Sequence, residues 1–208
     1  MFLRFIILIL YLQLCVLSTI NTVRPDTKKP SYCVIKNYLY KDDFLYVCNE
    51  KEYDNGYRRK VYSNPVSLKY MQNSYQKRWL FIPTDDKKYT NDTFYIITDL
   101  YKEFLCSSKD HLEITKHRRK LHTVNMDEIP VGEECIWRLD EFKYKKEHYL
   151  IWNLKYNEPL YAANSLFKTA RTNRRNVYTW YKNPDSKQFI WFVYCFNEFN
   201  KLFPYAKS

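Results

Sequence analysis

Glycine is almost absent from this chain, whose 208 residues contain only Gly56 and Gly132. A loop that cradles phosphate through its backbone N–H groups requires more glycine than this, as does a Gly-x-Ser-x-Gly nucleophile turn. The four histidines show no metal-ligand spacing, and the cysteines form no Cys-x-x-Cys pattern. These shortages predict a protein that is not an enzyme and that uses neither cofactor nor metal.

Long apolar runs are also lacking, except at the amino terminus. Arg4 precedes an almost wholly apolar run from Phe5 to Leu17, followed by polar residues. The run is short for a membrane span and is typical of a secretory signal peptide, predicted over residues 1–18. An uncleaved anchor is the alternative. The polar segment 19–31 is predicted to be flexible, and the mature protein to be secreted, extracellular and without a transmembrane span.

The cysteines are odd in number once Cys15 is assigned to the signal. In an oxidising compartment we expect them to form disulfides, with one left over, and the sequence alone leaves the pairing open. Asn91 begins the sequon Asn91-Asp92-Thr93, which predicts a glycosylated, exposed loop.

Positive charge predominates, with 34 Lys and Arg against 23 Asp and Glu and a formal net charge of +11. This balance predicts attraction to polyanions, and an exported protein meets sulfated glycans first. The alternative is that the excess of lysine only keeps the protein soluble.

One pattern of side chains occurs three times in the same order: a Leu-containing aromatic segment, an Arg-Arg pair followed by a polar residue, an aliphatic residue and a ring, then a tryptophan. The pairs are Arg58–Arg59, Arg118–Arg119 and Arg174–Arg175, and the tryptophans are Trp79, Trp137 and Trp191.

Segments such as YCVIKNYLY, FYIITDLY and YLIWNLKY are rich in β-branched and aromatic residues. They predict an all-β domain over residues 32–196 with about four strands in each repeat. The repeats are expected over about 32–84, 92–140 and 148–196. Residues 197–208 form a C-terminal tail without a repeat counterpart.

The run YNEPLYAAN…RRNVYTWYK…FIWFVY resembles secreted insect β-trefoil proteins, the family of microvitellogenin and of the trefoil half of haemolymph thirty-kilodalton lipoproteins. The resemblance implies a β-trefoil of three pseudo-symmetric repeats, each forming part of a short barrel and part of a hairpin cap. The helical half of the lipoproteins is missing, so their lipid-related roles are not implied.

The same resemblance implies a pattern of disulfides. The first and last strands of a trefoil are neighbours, which implies a bond between Cys33 and Cys195. Cys106 and Cys135 lie in the same repeat and are the next pair, which leaves Cys48 over. The Gln-x-Trp motif of ricin-type sugar-binding trefoils is absent, which argues against that lectin mechanism.

Strand alternation separates the two arginines of each pair. In the third repeat, Arg175 shares a face with apolar Val177 and is predicted to be structural, while Arg174 faces outward. The tryptophans are predicted to be core residues. The outward residues and their basic neighbours form the candidate polyanion site: Arg58, Lys60, Lys116, Arg118, Lys120, Lys168, Arg171 and Arg174.

These observations predict a secreted, basic, monomeric binding module that engages an anionic glycan or another polyanion. The alternative is a protein-directed inhibitor or effector, for example a salivary one, that presents the connection 123–134 to a host or extracellular protein. A haemolymph or egg storage protein is the further alternative.

Overall fold

The computed structural model describes residues 24–51, 58–65, 75–84, 88–89, 92–113, 117–125, 127, 131–143, 145–168, 173–182 and 184–196. The predicted signal peptide, the first part of the polar segment, the tail 197–208 and the sequon residue Asn91 lie outside these residues.

The described chain is built from β-strands. No α-helix occurs in the described ranges, and three single 3₁₀ turns, Tyr75–Lys77, Glu133–Cys135 and Lys187–Phe189, precede strands. No helix within those ranges is long and apolar enough to cross a membrane. The strands are β1 (Ser31–Asn37), β2 (Asp43–Lys51), β3 (Arg58–Pro65), β4 (Trp79–Pro83), β5 (Thr93–Thr98), β6 (Glu103–Glu113), β7 (Arg118–Asn125), β8 (Ile136–Glu141), β9 (His148–Asn153), β10 (Glu158–Lys168), β11 (Asn173–Trp180) and β12 (Ile190–Phe196).

All of these strands belong to one 12-stranded sheet. The main path runs β10-β11-β3-β2-β1-β12-β9-β8-β5-β6-β7, and β4 joins β1 to β5. The ends of the path are paired as well, because β10 bonds to β9, and β7 bonds to β3 and β11. The sheet is therefore a closed antiparallel barrel. Closure pairs the strands that would otherwise form open edges, and so keeps them from pairing with other chains.

The all-β class is confirmed, but the prediction of a β-trefoil is wrong. That prediction divided each repeat between a barrel and a separate hairpin cap. Instead, the hairpins are hydrogen-bonded into the same closed sheet, since Lys36 pairs with Phe44, Ile97 with Phe104, and β9 with β10. Residue patterns indicate strands reliably, whereas pairing between distant strands depends on contacts that no local pattern records.

The barrel interior is filled by alternating side chains, among which the three tryptophans are fully buried. Each indole N–H donates to the main-chain carbonyl of a leucine in a hairpin: Trp79 to Leu45 at 3.1 Å, Trp137 to Leu105 at 2.8 Å and Trp191 to Leu160 at 3.0 Å. A buried indole without such an acceptor would lose about 1–3 kcal/mol. The prediction that the tryptophans are core residues is confirmed.

Two disulfides brace this barrel, and both are the pairs that the family resemblance implied. Cys33 bonds to Cys195 across the β1–β12 pair, and Cys106 bonds to Cys135 between β6 and the 3₁₀ turn that precedes β8. Cys48 is a buried free thiol.

Candidate functional site

The second arginine of each pair is part of the scaffold, as its alternation predicted. The Arg175 Nε donates to Asp43 Oδ2 over 2.7 Å, and a terminal nitrogen donates to the Ala163 carbonyl over 2.8 Å. The guanidinium carbon also lies 3.4 Å from the centre of the Tyr40 ring. A buried arginine held by a carboxylate, a carbonyl and a ring is unavailable to a ligand.

The same three kinds of partner surround the other two inner arginines. The Nε-to-carboxylate distances are 2.9 Å for Arg59 and 3.1 Å for Arg119. The prediction that the second arginine of each pair is structural therefore holds in all three repeats. The partners are Glu103, the Asn49 carbonyl and Tyr101 for Arg59, and Glu158, the Lys109 carbonyl and Tyr156 for Arg119.

Sequence reasoning missed the carboxylates that pair with the second arginines. Each lies two residues before the leucine that accepts the tryptophan N–H bond, at Asp43, Glu103 and Glu158. A hydroxyl residue four positions after each inner arginine also donates to the acid, as Thr179 does to Glu158 over 2.8 Å. The equivalent donors are Ser63 to Asp43 and Thr123 to Glu103. Aligning acid, arginine and hydroxyl across the repeats would have revealed these clusters.

The outer faces of β3, β7 and β11 come together where these three strands pair with one another. Lys60 pairs with His122, Lys120 with Tyr178, and Asn176 with Tyr62. A cleft of about 200 Å³ lies at this junction, and none of its described lining residues is acidic. The lining residues, here named the junction cleft, are Lys60, Val61, Tyr62, Lys120, Leu121, Asn176, Val177 and Tyr178.

His122 lies beside this cleft, near the positive charges of Arg58 and Lys120, and is only 4% exposed. Burial, reinforced by the charges of Arg58 and Lys120 and opposed by Glu134, lowers the pKa of His122 to about 3. The imidazole is therefore neutral at physiological pH, and the lysines and Arg58 supply the cationic charge.

Two of the predicted outward arginines are half-buried against rings. Arg118 lies 4.2 Å from the centre of the Trp180 ring, and Arg174 lies 5.4 Å from that of Tyr62. A terminal nitrogen of Arg174 also donates to Cys48 Sγ over 3.5 Å. These side chains contribute charge to the face that they flank, but they extend less freely into solvent than alternation alone suggested.

The structure brings part of the predicted site together. Lys60 and Lys120 line the junction cleft, and Arg58 lies on the same strand face as Lys60. Lys168 ends β10, but its side chain is not among those described. Lys116 and Arg171 lie outside the described ranges. Asn176 and the tyrosines of the cleft were not in the predicted site, because that site was selected by positive charge, although they belong to the same repeated pattern as Lys60 and Lys120.

Metal binding finds no support in the described part of the chain, where no group of three or more His, Cys, Asp or Glu side chains is placed to hold an ion.

The chain matches no protein-family model and no curated protein. Its fold is similar to that of a salivary protein from Culex quinquefasciatus, of the Cysteine and Tryptophan-Rich family, at a TM-score of 0.57 and 14% identity over 84% of this chain and 99% of that one. It is similar to the apo BEL β-trefoil at a TM-score of 0.58 and 10% identity, over 85% of this chain and 100% of that one.

A third similar structure is the Polyporus squamosus lectin bound to a Neu5Ac-containing epitope, at a TM-score of 0.55 and 11% identity over 80% of this chain and 49% of that one. At such low identities these similarities concern the fold alone. They include insect salivary proteins and lectins among proteins of similar shape, and they give no sequence-level support for microvitellogenin.

Proposed function

We propose that the protein is a secreted, non-enzymatic binding module whose junction cleft engages an anionic glycan or another polyanion. The observation that carries this proposal is the presence of Lys60 and Lys120, from different hairpins, in one cleft whose described lining is free of acidic residues. Their ammonium groups attract sulfates or carboxylates, and the rings of Tyr62 and Tyr178 offer surfaces for sugar.

Three further features support this proposal. The net charge of +11 favours association with polyanions. The disulfides are of the kind that persists in oxidising, extracellular compartments. The similar Polyporus lectin is bound to a sialylated epitope, which carries a carboxylate.

Retention on a heparin column tests the proposal. We expect the protein to be retained at physiological salt, and the double variant Lys60→Gln/Lys120→Gln to elute at clearly lower salt. The slope of the logarithm of the binding constant against the logarithm of the salt concentration should become shallower by about 0.7–0.9 for each lost contact, by analogy with nucleic acids. Lys41→Gln/Lys146→Gln is the matched control, because it removes the same charge from exposed lysines that do not line the cleft. Equal elution of the two double variants would contradict the assignment of the cleft.

The alternative, a protein-directed inhibitor or effector, is favoured by the similarity to Culex salivary proteins. It predicts capture of one specific extracellular protein by a contact that high salt leaves intact, because a largely apolar interface is little screened. Loss of retention on heparin together with such capture would select this alternative.

A further inference from the structure

A second cavity, separate from the junction cleft, lies beside the Cys106–Cys135 disulfide. Its volume is about 190 Å³. Arg58, Lys109 and Lys155 bring positive charge to it, while Val124, Val131 and the disulfide form an apolar wall. Glu134, also in the lining, is paired with Lys155 over 2.8 Å. The cavity thus combines an apolar surface with excess cationic charge.

The corresponding position beside β11 is filled by rings. Arg118, like Arg58 the first arginine of its pair, lies 5.2 Å from the ring centre of Tyr161, 5.6 Å from that of Tyr178 and 4.2 Å from that of Trp180. Phe189 closes the group, with its ring 4.9 Å from Tyr161. The cation of Arg118 is therefore covered by aromatic side chains from its own chain.

Smaller residues replace each of these rings beside Arg58. Strand register places Val124 opposite Arg58, where Trp180 is opposite Arg118. Cys106 follows the leucine that accepts the tryptophan N–H bond in the second repeat, where Tyr161 stands in the third. His122 ends the Arg-Arg pattern in the second repeat, where Tyr178 ends it in the third. Two residues before the buried tryptophan stands Cys135 rather than Phe189. The missing ring volume accounts for the cavity.

Arg58 supplies the guanidinium of this cavity. Its Nε, like that of Arg118, is buried and has no hydrogen-bond partner among the described residues. Because Arg58 belongs to the cavity lining, an anion bound in the cavity would meet its guanidinium. Charge-assisted bonds from a guanidinium to sulfate or carboxylate are among the stronger hydrogen bonds in proteins.

We propose that this cavity binds a small organic anion with a flat ring. The ring occupies the space that Tyr161, Tyr178, Trp180 and Phe189 fill beside Arg118, and it lies against the disulfide and the valines. The anionic group accepts from Arg58 and faces Lys109. The volume suits this ligand, because an apolar cavity of about 150 Å³ holds one benzene, which leaves room here for a substituent.

Titration calorimetry with phenyl sulfate, phenol and inorganic sulfate separates the two parts of this ligand. We expect phenyl sulfate to bind with a single site, and phenol and sulfate each to bind at least about tenfold more weakly, because each offers only half of the recognised chemistry. Arg58→Gln should weaken phenyl sulfate by a similar factor. Equal affinity for phenol or for inorganic sulfate would overturn the proposal.

Filling the cavity provides the second test. His122→Tyr introduces the ring found at Tyr62 and Tyr178, and Val124→Trp introduces the ring found at Trp180. Either variant that retains a cooperative thermal transition should lose phenyl sulfate binding while keeping its retention on heparin. Lys60→Gln is the control, since it alters the junction cleft and should leave phenyl sulfate binding unchanged. Binding that persists in a folded cavity-filled variant would refute the proposed location.

Discussion

The inner and outer faces of β3, β7 and β11 differ in the contacts that their arginines make. On the inner face, each strand presents an arginine that meets a carboxylate, a carbonyl and a ring, and the set recurs three times. On the outer face the equivalent positions differ: Arg118 is covered by rings, Arg58 borders a cavity, and Arg174 lies near Cys48 and Tyr62.

The difference follows from the constraints on each face. Inner side chains must neutralise and satisfy one another inside a closed barrel, where an unpaired charge is costly. The outer arginines meet solvent on part of their surface, so their neighbours can vary without opening the barrel. Binding chemistry is therefore expected on the outer face, and the experiments below compare the two.

The largest effect is expected at an inner arginine. Arg175→Met leaves Asp43 buried and without its cationic partner, and removing one member of a buried pair costs about 3–5 kcal/mol. Arg174→Met, the matched outer change on the neighbouring residue, should cost below about 1 kcal/mol. Denaturant unfolding of both variants measures the free energies. Similar losses would show that the two faces do not differ in this way.

Acid should destabilise the protein through His122. Its pKa is about 3 in the folded chain against 6.5 ordinarily, so between these values the unfolded chain binds more protons. The free energy of unfolding should therefore fall as pH drops from about 6.5 towards 3, by at most about 1.4 kcal/mol per pH unit from this group.

Unfolding of wild type and His122→Phe across pH 4–7 checks this linkage. Carboxylates titrate in both proteins, so the difference between the two curves isolates the histidine. The wild type should lose more stability on acidification than the variant. Parallel curves would show that the imidazole is protonated alike in the folded and unfolded states.

The smallest effect is expected where an outer arginine lies on rings. Arg118→Gln removes a guanidinium from the Trp180 face, and such a contact contributes about 0.5–1 kcal/mol at a partly exposed site. Arg58→Gln should be near neutral, because Arg58 borders a cavity where Arg118 is covered by rings; the buried Nε without a described partner is common to both arginines and does not separate them. Thermal unfolding of both variants tests the order, and a larger loss for Arg58→Gln would reverse the comparison.

Local patterns in the sequence were enough to predict the strands, the burial of the tryptophans and the structural role of the second arginines. Each depends on side-chain alternation within a strand, which sequence records directly. The disulfide pairs were predicted through a family resemblance, even though the β-trefoil that the same resemblance implied was wrong. Pairing among distant strands was beyond these patterns.

The candidate sites were predicted only in part. Lys60 and Lys120 stood out by their charge after arginine pairs, whereas Asn176, at the same place in the third repeat, is uncharged and was not selected. That the three strands meet was not evident from any local pattern. The cavity left no local signal either, since Val124, Cys106 and Cys135 are ordinary residues until each is compared with its ring-bearing equivalent. For Cys106 and Cys135 that comparison needs only an alignment of the repeats, whereas for Val124 it depends on which residues are opposite each other across strands.

The amino-acid sequence by itself determined that this is a basic, cysteine-containing β protein whose arginines and tryptophans recur three times, because composition and alternation are properties of neighbouring residues. Only the tertiary structure decided which of those arginines are enclosed by carboxylates, which by rings and which by open space. The physical reason is that each enclosure is assembled from segments far apart in the chain, as when Arg58 faces Val124. Their contact is established by closing the barrel.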